Sequence, residues 1–110
     1  MPLLKRARIE VYLPERDTAA YKRLHKSVES EFIETFGGCT VIRDIKGLYT
    51  ASNGKVDLDE IRLCYADTPF DLDENFDALS KYTDELRSAV LEASGEESVL
   101  IVVHEIYHSI

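Results

Sequence analysis

The sequence predicts a single α+β domain whose elements run β-α-β-β-α-β along the chain. Three observations predict it: a first segment of alternating apolar and polar residues, two segments of helical spacing that end at glycine, and an Asn-Gly pair between two strand-like segments. A chain of 110 residues forms one cooperative core, so we interpret residues 1–110 as one domain.

The first strand is predicted from Arg6 to Leu13, and Pro14 ends it. Side chains in a strand point alternately to opposite faces of the sheet. One face receives Ala7, Ile9, Val11 and Leu13, and the other receives Arg6, Arg8, Glu10 and Tyr12. This alternation indicates a strand with one buried face.

Two helices are predicted from residues that recur every three or four positions. The first begins after a cap at Asp17 or Thr18 and ends at Gly37-Gly38, because glycine readily adopts the left-handed conformation of a helix end. We expect His25 on its solvated or flanking side. The second helix begins near Phe76 and ends at Gly95.

The segment between the helices predicts a hairpin around Asn53-Gly54, since both residues tolerate the positive φ of a tight turn. A simple two-residue turn would place Ile61 and Leu63 opposite charged residues. One extra residue near Gly47 removes this conflict, so we predict a bulge there. The corrected register sets Ile45 opposite Ile61 and Val41 opposite Tyr65.

The two cysteines, Cys39 and Cys64, are offset by three or four residues along the paired strands, whether or not the hairpin contains the bulge. That offset corresponds to roughly 10 Å or more along the strands, which is beyond the reach of a disulfide. We therefore expect two small buried thiols.

The last strand, within residues 98–108, is apolar on both faces. A strand with one face in water alternates apolar and polar residues, so this pattern indicates that a partner covers the strand. A second copy of the chain is the simplest partner, and the sequence predicts a homodimer.

With right-handed connections, this element order gives four antiparallel strands with both helices on one face. The arrangement resembles the ferredoxin-like fold over nearly the whole chain. The segments Phe36–Thr40 and Gly47–Tyr49 are also similar to small bacterial proteins of unassigned function that resemble the dimeric α+β barrels. In those barrels two sheets pack face to face, so the resemblance implies a homodimer. It transfers no catalytic residue.

Composition excludes several classes of function. A net charge of −8 opposes binding to nucleic acid and to anionic membranes. The sequence has no apolar segment long enough to span a membrane, and charged residues stand where a signal peptide needs apolar ones, so we expect a cytoplasmic protein. No Cys/His motif predicts a metal, and Asp71–Asp77 departs from a calcium loop at Phe76, where glycine is required. We expect no cofactor.

The candidate site lies on the sheet face away from the helices, here called the open face. We expect Arg8 and Tyr12 of the first strand there, together with Glu60, Arg62 and Cys64 of the third. The last strand adds one of two sets, either Leu100, Val102 and His104 or Val99, Ile101 and Val103, and with the first set His104 joins the two arginines and Tyr12. Arginine binds carboxylates, while histidine and tyrosine relay protons. The structural alternative is cross-strand ion pairing of Arg6, Arg8 and Arg62 with Glu10 and Glu60.

The sequence therefore favours a homodimeric binding or assembly module whose open face holds a small anionic or aromatic molecule. The alternative is a cofactor-free enzyme of the dimeric α+β barrel kind, using His104, Tyr12 and an arginine.

A second alternative depends on Pro2. Tautomerases of the macrophage-migration-inhibitory-factor type use an N-terminal proline as catalytic base, and this chain resembles them in Met1-Pro2 followed by a strand and a helix. It departs from them in its Asn53-Gly54 hairpin and in a strand that begins several residues after Pro2. A retained methionine would also acylate the proline nitrogen and abolish its basicity.

Overall fold

A computed structural model describes residues 3–109 of the chain. Its elements are β1 (Leu4–Pro14), α1 (Ala19–Phe36), β2 (Thr40–Thr50), β3 (Val56–Asp67), α2 (Phe76–Ser94) and β4 (Leu100–His108). The predicted element order is confirmed. Pro2 and its proposed tautomerase role lie outside the described residues, although β1 begins only two residues later, closer to Pro2 than expected.

The four strands form one antiparallel sheet in the order β2-β3-β1-β4. The ferredoxin-like topology is thereby confirmed, with β4 beside β1 at one edge. Both helices pack on the same face, here called the helix face. No helix within residues 3–109 combines the length and the apolar character that crossing a membrane requires.

The core lies between the helices and the helix face. The apolar side chains of β1 are almost completely buried there, as their alternation predicted. The core consists chiefly of Ala7, Ile9, Val11 and Leu13 of β1, Leu24, Val28 and Phe32 of α1, and Leu79 and Val90 of α2. Phe76, the first residue of α2, is exposed.

The helix ends follow the predicted residues. The Thr18 hydroxyl accepts a hydrogen bond from the Tyr21 amide at 3.2 Å and so caps α1. Gly37 ends α1 with a φ of 88°, and Gly95 ends α2 with a φ of 71°, both in the left-handed region.

The hairpin register differs from the prediction in one respect. Ile45 lies opposite Ile61 as expected, but Val41 lies opposite Cys64, and the irregularity falls between Ile42 and Ile45 instead of near Gly47. Asp44 adopts a φ of 63° within it. The predicted position was wrong because residues 51–55 form a longer loop than a two-residue turn, and this loop absorbs the extra residue.

Part of the hairpin extends beyond the rest of the sheet. The last residue of β1 to pair, Pro14, lies opposite Ile61, so residues 46–60 form a two-stranded ribbon without a third strand. This ribbon is called the arm below. It contributes to a molecule 48 Å long and 29 by 26 Å across.

The two cysteines are closer than predicted. Because Val41 lies opposite Cys64, Cys39 is a diagonal neighbour of Cys64 on the same face of the hairpin. Both are free thiols. Burial, together with the nearby Cys39 thiol, raises the pKa of Cys64 to about 12, so Cys64 is a thiol and not a reactive thiolate at neutral pH.

His25 is buried, and the expectation of a solvated position was wrong. Its Nε2 donates to the Pro14 carbonyl oxygen at 3.1 Å, which ties α1 to the end of β1. Burial and the nearby Arg62 guanidinium both lower the pKa of His25.

Candidate functional site

The open face is built from cross-strand rows that change from apolar to charged. Each row follows directly from the strand registers, because paired residues point to the same face. The first row is Ile42, Leu63, Tyr12 and Leu100; the second is Thr40, Tyr65, Glu10 and Val102; the third is Asp67, Arg8 and His104. An aliphatic surface thus borders a polar one.

Three of the four predicted site residues lie on this face: Arg8, Tyr12 and His104. Arg62 does not, because it pairs with Leu13 and lies on the helix face, where its Nε is 3.9 Å from Glu15 Oε2. Cys64 and Glu60 lie on the helix face as well. The sequence analysis therefore assigned the two faces of β3 the wrong way round.

The physical reason is that both faces of β3 carry apolar residues, so alternation alone does not orient the strand. The structure places the small Cys64 and Ala66 beneath the helices and the bulky Leu63 and Tyr65 on the open face. Small side chains let α1 pack close to the sheet.

A polar cluster of Glu10, Tyr12 and His104, here called the Glu10 cluster, lies at the centre of the face. The Tyr12 hydroxyl donates to Glu10 Oε1 at 3.1 Å, and His104 Nε2 lies 3.3 Å from Glu10 Oε2. The Glu10 side chain is only 15% exposed. Partial burial and the Glu10 carboxylate raise the pKa of Tyr12, so the phenol keeps its proton.

A second polar group lies beside this cluster. The Arg8 guanidinium binds Asp67 through two hydrogen bonds, from Nε at 2.6 Å and from Nη2 at 3.0 Å, and stacks 4.1 Å from the centre of the Tyr65 ring. These contacts raise the pKa of Arg8, chiefly through Asp67. The edge of the guanidinium formed by Nε and Nη2 is therefore already occupied by a carboxylate.

Sequence reasoning missed Asp67 and Tyr65, and it assigned Glu10 only to ion pairing. The residue types gave little signal, since an acidic residue on a strand is ordinary. Correct orientation of β3 would have placed Asp67 opposite Arg8 and so exposed the pairing.

A groove of about 690 Å³ lies between α1 and α2, away from the Glu10 cluster, and is lined by residues such as Leu24, Val28 and Leu86. The open face is a surface and not a cleft within one copy of the chain. A ligand bound there would need a second wall, which a single copy does not supply.

Comparison with known proteins identifies relatives by structure only. No protein-family model matches the sequence, and no curated protein matches it. The solved structure of CutA1 from Oryza sativa superposes with a TM-score of 0.59 at 20% identity, over 98% of this chain and 85% of that chain.

Two further solved structures have the same fold. The divalent cation tolerance protein CutA1 from Thermus thermophilus gives a TM-score of 0.54 at 14% identity, over 94% of this chain and 84% of that one. CPII from Thiomonas intermedia, solved with ADP, AMP and acetate bound, gives 0.51 at 17% identity, over 100% and 94%. At these identities the similarity establishes the ferredoxin-like fold and not a function.

Proposed function

We propose that this protein is a small binding module that assembles with copies of itself and buries its open face between them. The observation that carries the proposal is the apolar row of the open face, in which Leu63 is buried but Ile42 and Leu100 at the two ends are 43% and 57% exposed. An antiparallel sheet whose second face is solvated carries mainly polar residues on that face. This face does not.

The polar residues of the face support the same conclusion. Arg8 is held by Asp67 and Glu10 by Tyr12, so these two charges enter a buried contact already partnered, whereas His104 Nε2, 3.3 Å from Glu10, makes no hydrogen bond within residues 3–109. Unpartnered charges would oppose burial, whereas paired charges reduce its cost. A mixture of tyrosine, arginine and aliphatic residues is also typical of the centre of a protein interface.

Any small ligand is expected between copies, against the polar end of the face. CPII shares this fold and was solved with ADP, AMP and acetate, which makes adenine nucleotides the first compounds to test. Because Asp67 occupies the Arg8 guanidinium, we propose that an anionic or aromatic ligand binds through Tyr12 and Tyr65 and displaces Asp67. Isothermal titration with ADP, repeated with Arg8→Ala, tests this; heat unchanged by the variant contradicts it.

The assembly itself is tested by native mass spectrometry of the wild-type chain and of Val102→Asp. A carboxylate at Val102 places a charge beside Glu10 on the open face, so we expect the variant to be monomeric. Phe76→Asp is the matched control, because Phe76 is exposed at the start of α2, where a negative charge is favourable. A monomeric wild-type chain, or an assembled Val102→Asp, contradicts the proposal.

We propose that the assembly contains two copies of the chain. The sequence predicts a dimer, and a contact between two identical open faces is isologous and closes at two copies. The same mass spectrum reports the copy number directly.

The Glu10 cluster favours one alternative, cofactor-free proton transfer. A carboxylate within 3.3 Å of both an imidazole nitrogen and a phenol is an arrangement that acid–base catalysts use. Deuterium incorporation from D₂O into a 2-oxo acid, followed by NMR, tests this alternative. Loss of exchange in both Glu10→Gln and His104→Gln would support catalysis, and no exchange in the wild-type chain would exclude it for that substrate class.

A further inference from the structure

We propose that the groove between α1 and α2 binds a small primary amine that carries one flat aromatic group. The groove lies between the helices and not on the open face, so this inference does not depend on the proposed self-assembly. Its volume is about 690 Å³. Sites for small molecules in proteins measure roughly 300–1,000 Å³, so the groove is large enough for one such molecule.

The groove exists because α1 and α2 face each other through small side chains. Residues that recur every three or four positions line both of its sides, as expected for two packed helices. Its walls carry four small, exposed residues: Ala20 and Ser27 on α1, and Ala89 and Ala93 on α2. Larger side chains at these positions would fill the space between the helices.

The walls of the groove, and not its floor, are the surfaces that remain uncovered. The floor residues Leu24, Val28 and Val90 are at most 7% exposed. A flat group inserted between the helices would contact both walls at once and displace the water next to Ala89 and Ala93. The shape of the groove therefore favours a planar apolar group.

One end of the groove is acidic. Glu31 of α1 lies there with Tyr82 and Glu85 of α2. The Tyr82 and Thr35 hydroxyls each donate to Glu31 Oε1 at 3.1 Å, which fixes the carboxylate. Within residues 3–109 neither Glu31 nor Glu85 forms an ion pair. An ammonium group would supply the missing positive charge.

Tyr82 holds the Glu31 carboxylate in position. The Tyr82 ring meets the Phe36 ring edge-on, with centroids 5.4 Å apart. Burial and the nearby Glu31 carboxylate raise the pKa of Tyr82, so the phenol keeps its proton and remains a donor. A carboxylate that is already ordered loses little further freedom when a ligand binds, which favours affinity.

The opposite end of the groove contains Arg23, which lies roughly 12 Å from Glu31 along the axis of α1. Arg23 is exposed and forms no ion pair within residues 3–109. A guanidinium stacks on aromatic rings but repels a second ammonium. The two ends together select an aromatic monoamine over a polyamine.

The test uses tryptamine and its matched control, indole-3-propionate. The two molecules share the indole ring and the length of its side chain, but they carry opposite charges. An NMR titration of the ¹⁵N-labelled full chain at neutral pH measures the affinity and locates the site. We expect tryptamine to shift amide resonances of residues 20–31 and 82–93, and to bind roughly tenfold more tightly than indole-3-propionate.

Three variants test the assigned contacts. Glu31→Gln keeps an acceptor for the two hydroxyls but removes the charge, so we expect a roughly tenfold loss of tryptamine affinity. Glu34→Gln is the matched control, because Glu34 is exposed on α1 outside the groove, and it should leave the affinity unchanged. Ala89→Leu should abolish binding by filling the groove. Leucine is a good helix former and Ala89 is exposed, so we expect this variant to fold, and thermal unfolding checks it.

Several results would overturn the groove site. These are no shifts with tryptamine, equal affinity for the two probes, an equal loss in Glu31→Gln and Glu34→Gln, or full binding by folded Ala89→Leu. Shifts confined to the open face would place the amine at the Glu10 cluster instead. Shifts of the groove residues on dilution, without any ligand, would show that a second copy covers the groove. The native mass spectrum tests self-assembly separately, and the copy number should be the same for the wild-type chain and Glu31→Gln.

Discussion

The two faces of the sheet are made from alternate residues of the same strands, yet they differ in what covers them. On the helix face Ile9 and Val11 lie beneath Phe32 and have almost no solvent exposure. On the open face Leu100 remains 57% exposed beside a polar cluster. The comparison indicates that the helix face holds the single chain together, whereas the open face determines what the chain binds.

The largest expected difference between the faces is in the stability of the single chain. Phe32→Ala removes a fully buried ring and should lower the free energy of unfolding by about 3–5 kcal/mol. Leu100→Ala should change it by less than about 0.5 kcal/mol. Urea unfolding at a protein concentration low enough to dissociate copies measures both. Equal losses would show that the open face also stabilises the isolated chain.

A smaller effect is expected from the ion pair of the open face. Arg8→Ala removes two hydrogen bonds to Asp67 and the stacking on Tyr65, so we expect a loss of about 1 kcal/mol. Lys22→Ala is the control, because its pair with Asp17 is exposed to solvent and should contribute nothing measurable. A loss in Arg8→Ala no larger than in this control would mean that the pair is not structural.

A stability effect of similar or smaller size is expected at Gly47, where the arm leaves the rest of the sheet. A methyl group on Gly47 would lie 2.7 Å from Ile61 Cδ1 and from the Tyr49 ring, so Gly47→Ala must displace both side chains. We expect a loss of about 1 kcal/mol, because Tyr49 is half exposed and able to rotate away. Gly38→Ala meets no atom within 4 Å and should be neutral or slightly stabilising. Unfolding midpoints of the two variants decide between these outcomes.

The smallest expected effect is the pH dependence that His25 contributes on the helix face. Its pKa is lowered in the folded chain, so the unfolded chain binds the proton more readily and stability falls as pH drops below about 6.5. The charged groups facing it are Arg62, which opposes protonation, and Glu15 and Glu29, which favour it. The unfolding midpoint of the wild-type chain should decline from pH 7 to pH 5. His25→Gln should flatten this decline, and an unchanged slope would contradict the assignment.

Sequence patterns predicted the fold well where one physical signal dominated. The alternation of β1 and the glycines that end both helices each allowed one interpretation, and the cap of α1 was narrowed to Asp17 or Thr18. The hairpin was harder, since the turn loop and the irregularity near Asp44 both change the register by a single residue. Sequence alone does not separate their positions.

The candidate site was predicted only in part for a related reason. Arg8 and Tyr12 lie on β1, whose alternation fixes its two faces, and His104 lies on β4, for which the sequence allowed two orientations. Arg62 lies on β3, which is apolar on both faces, so the sequence did not show which of its residues face the helices. The burial of His25 was missed because its hydrogen bond to the Pro14 carbonyl depends on tertiary packing. Such contacts leave no periodic signal.

Hydrogen exchange along β4 tests the central claim, that copies of the chain cover the open face and its edge, most directly. In an assembled protein the amides of Leu100–His108 should exchange as slowly as those of the buried part of α1. Dilution, or the Val102→Asp variant, should release the outward-pointing amides of β4 alone. Fast exchange of those amides at every concentration, with α1 still protected, would contradict the account.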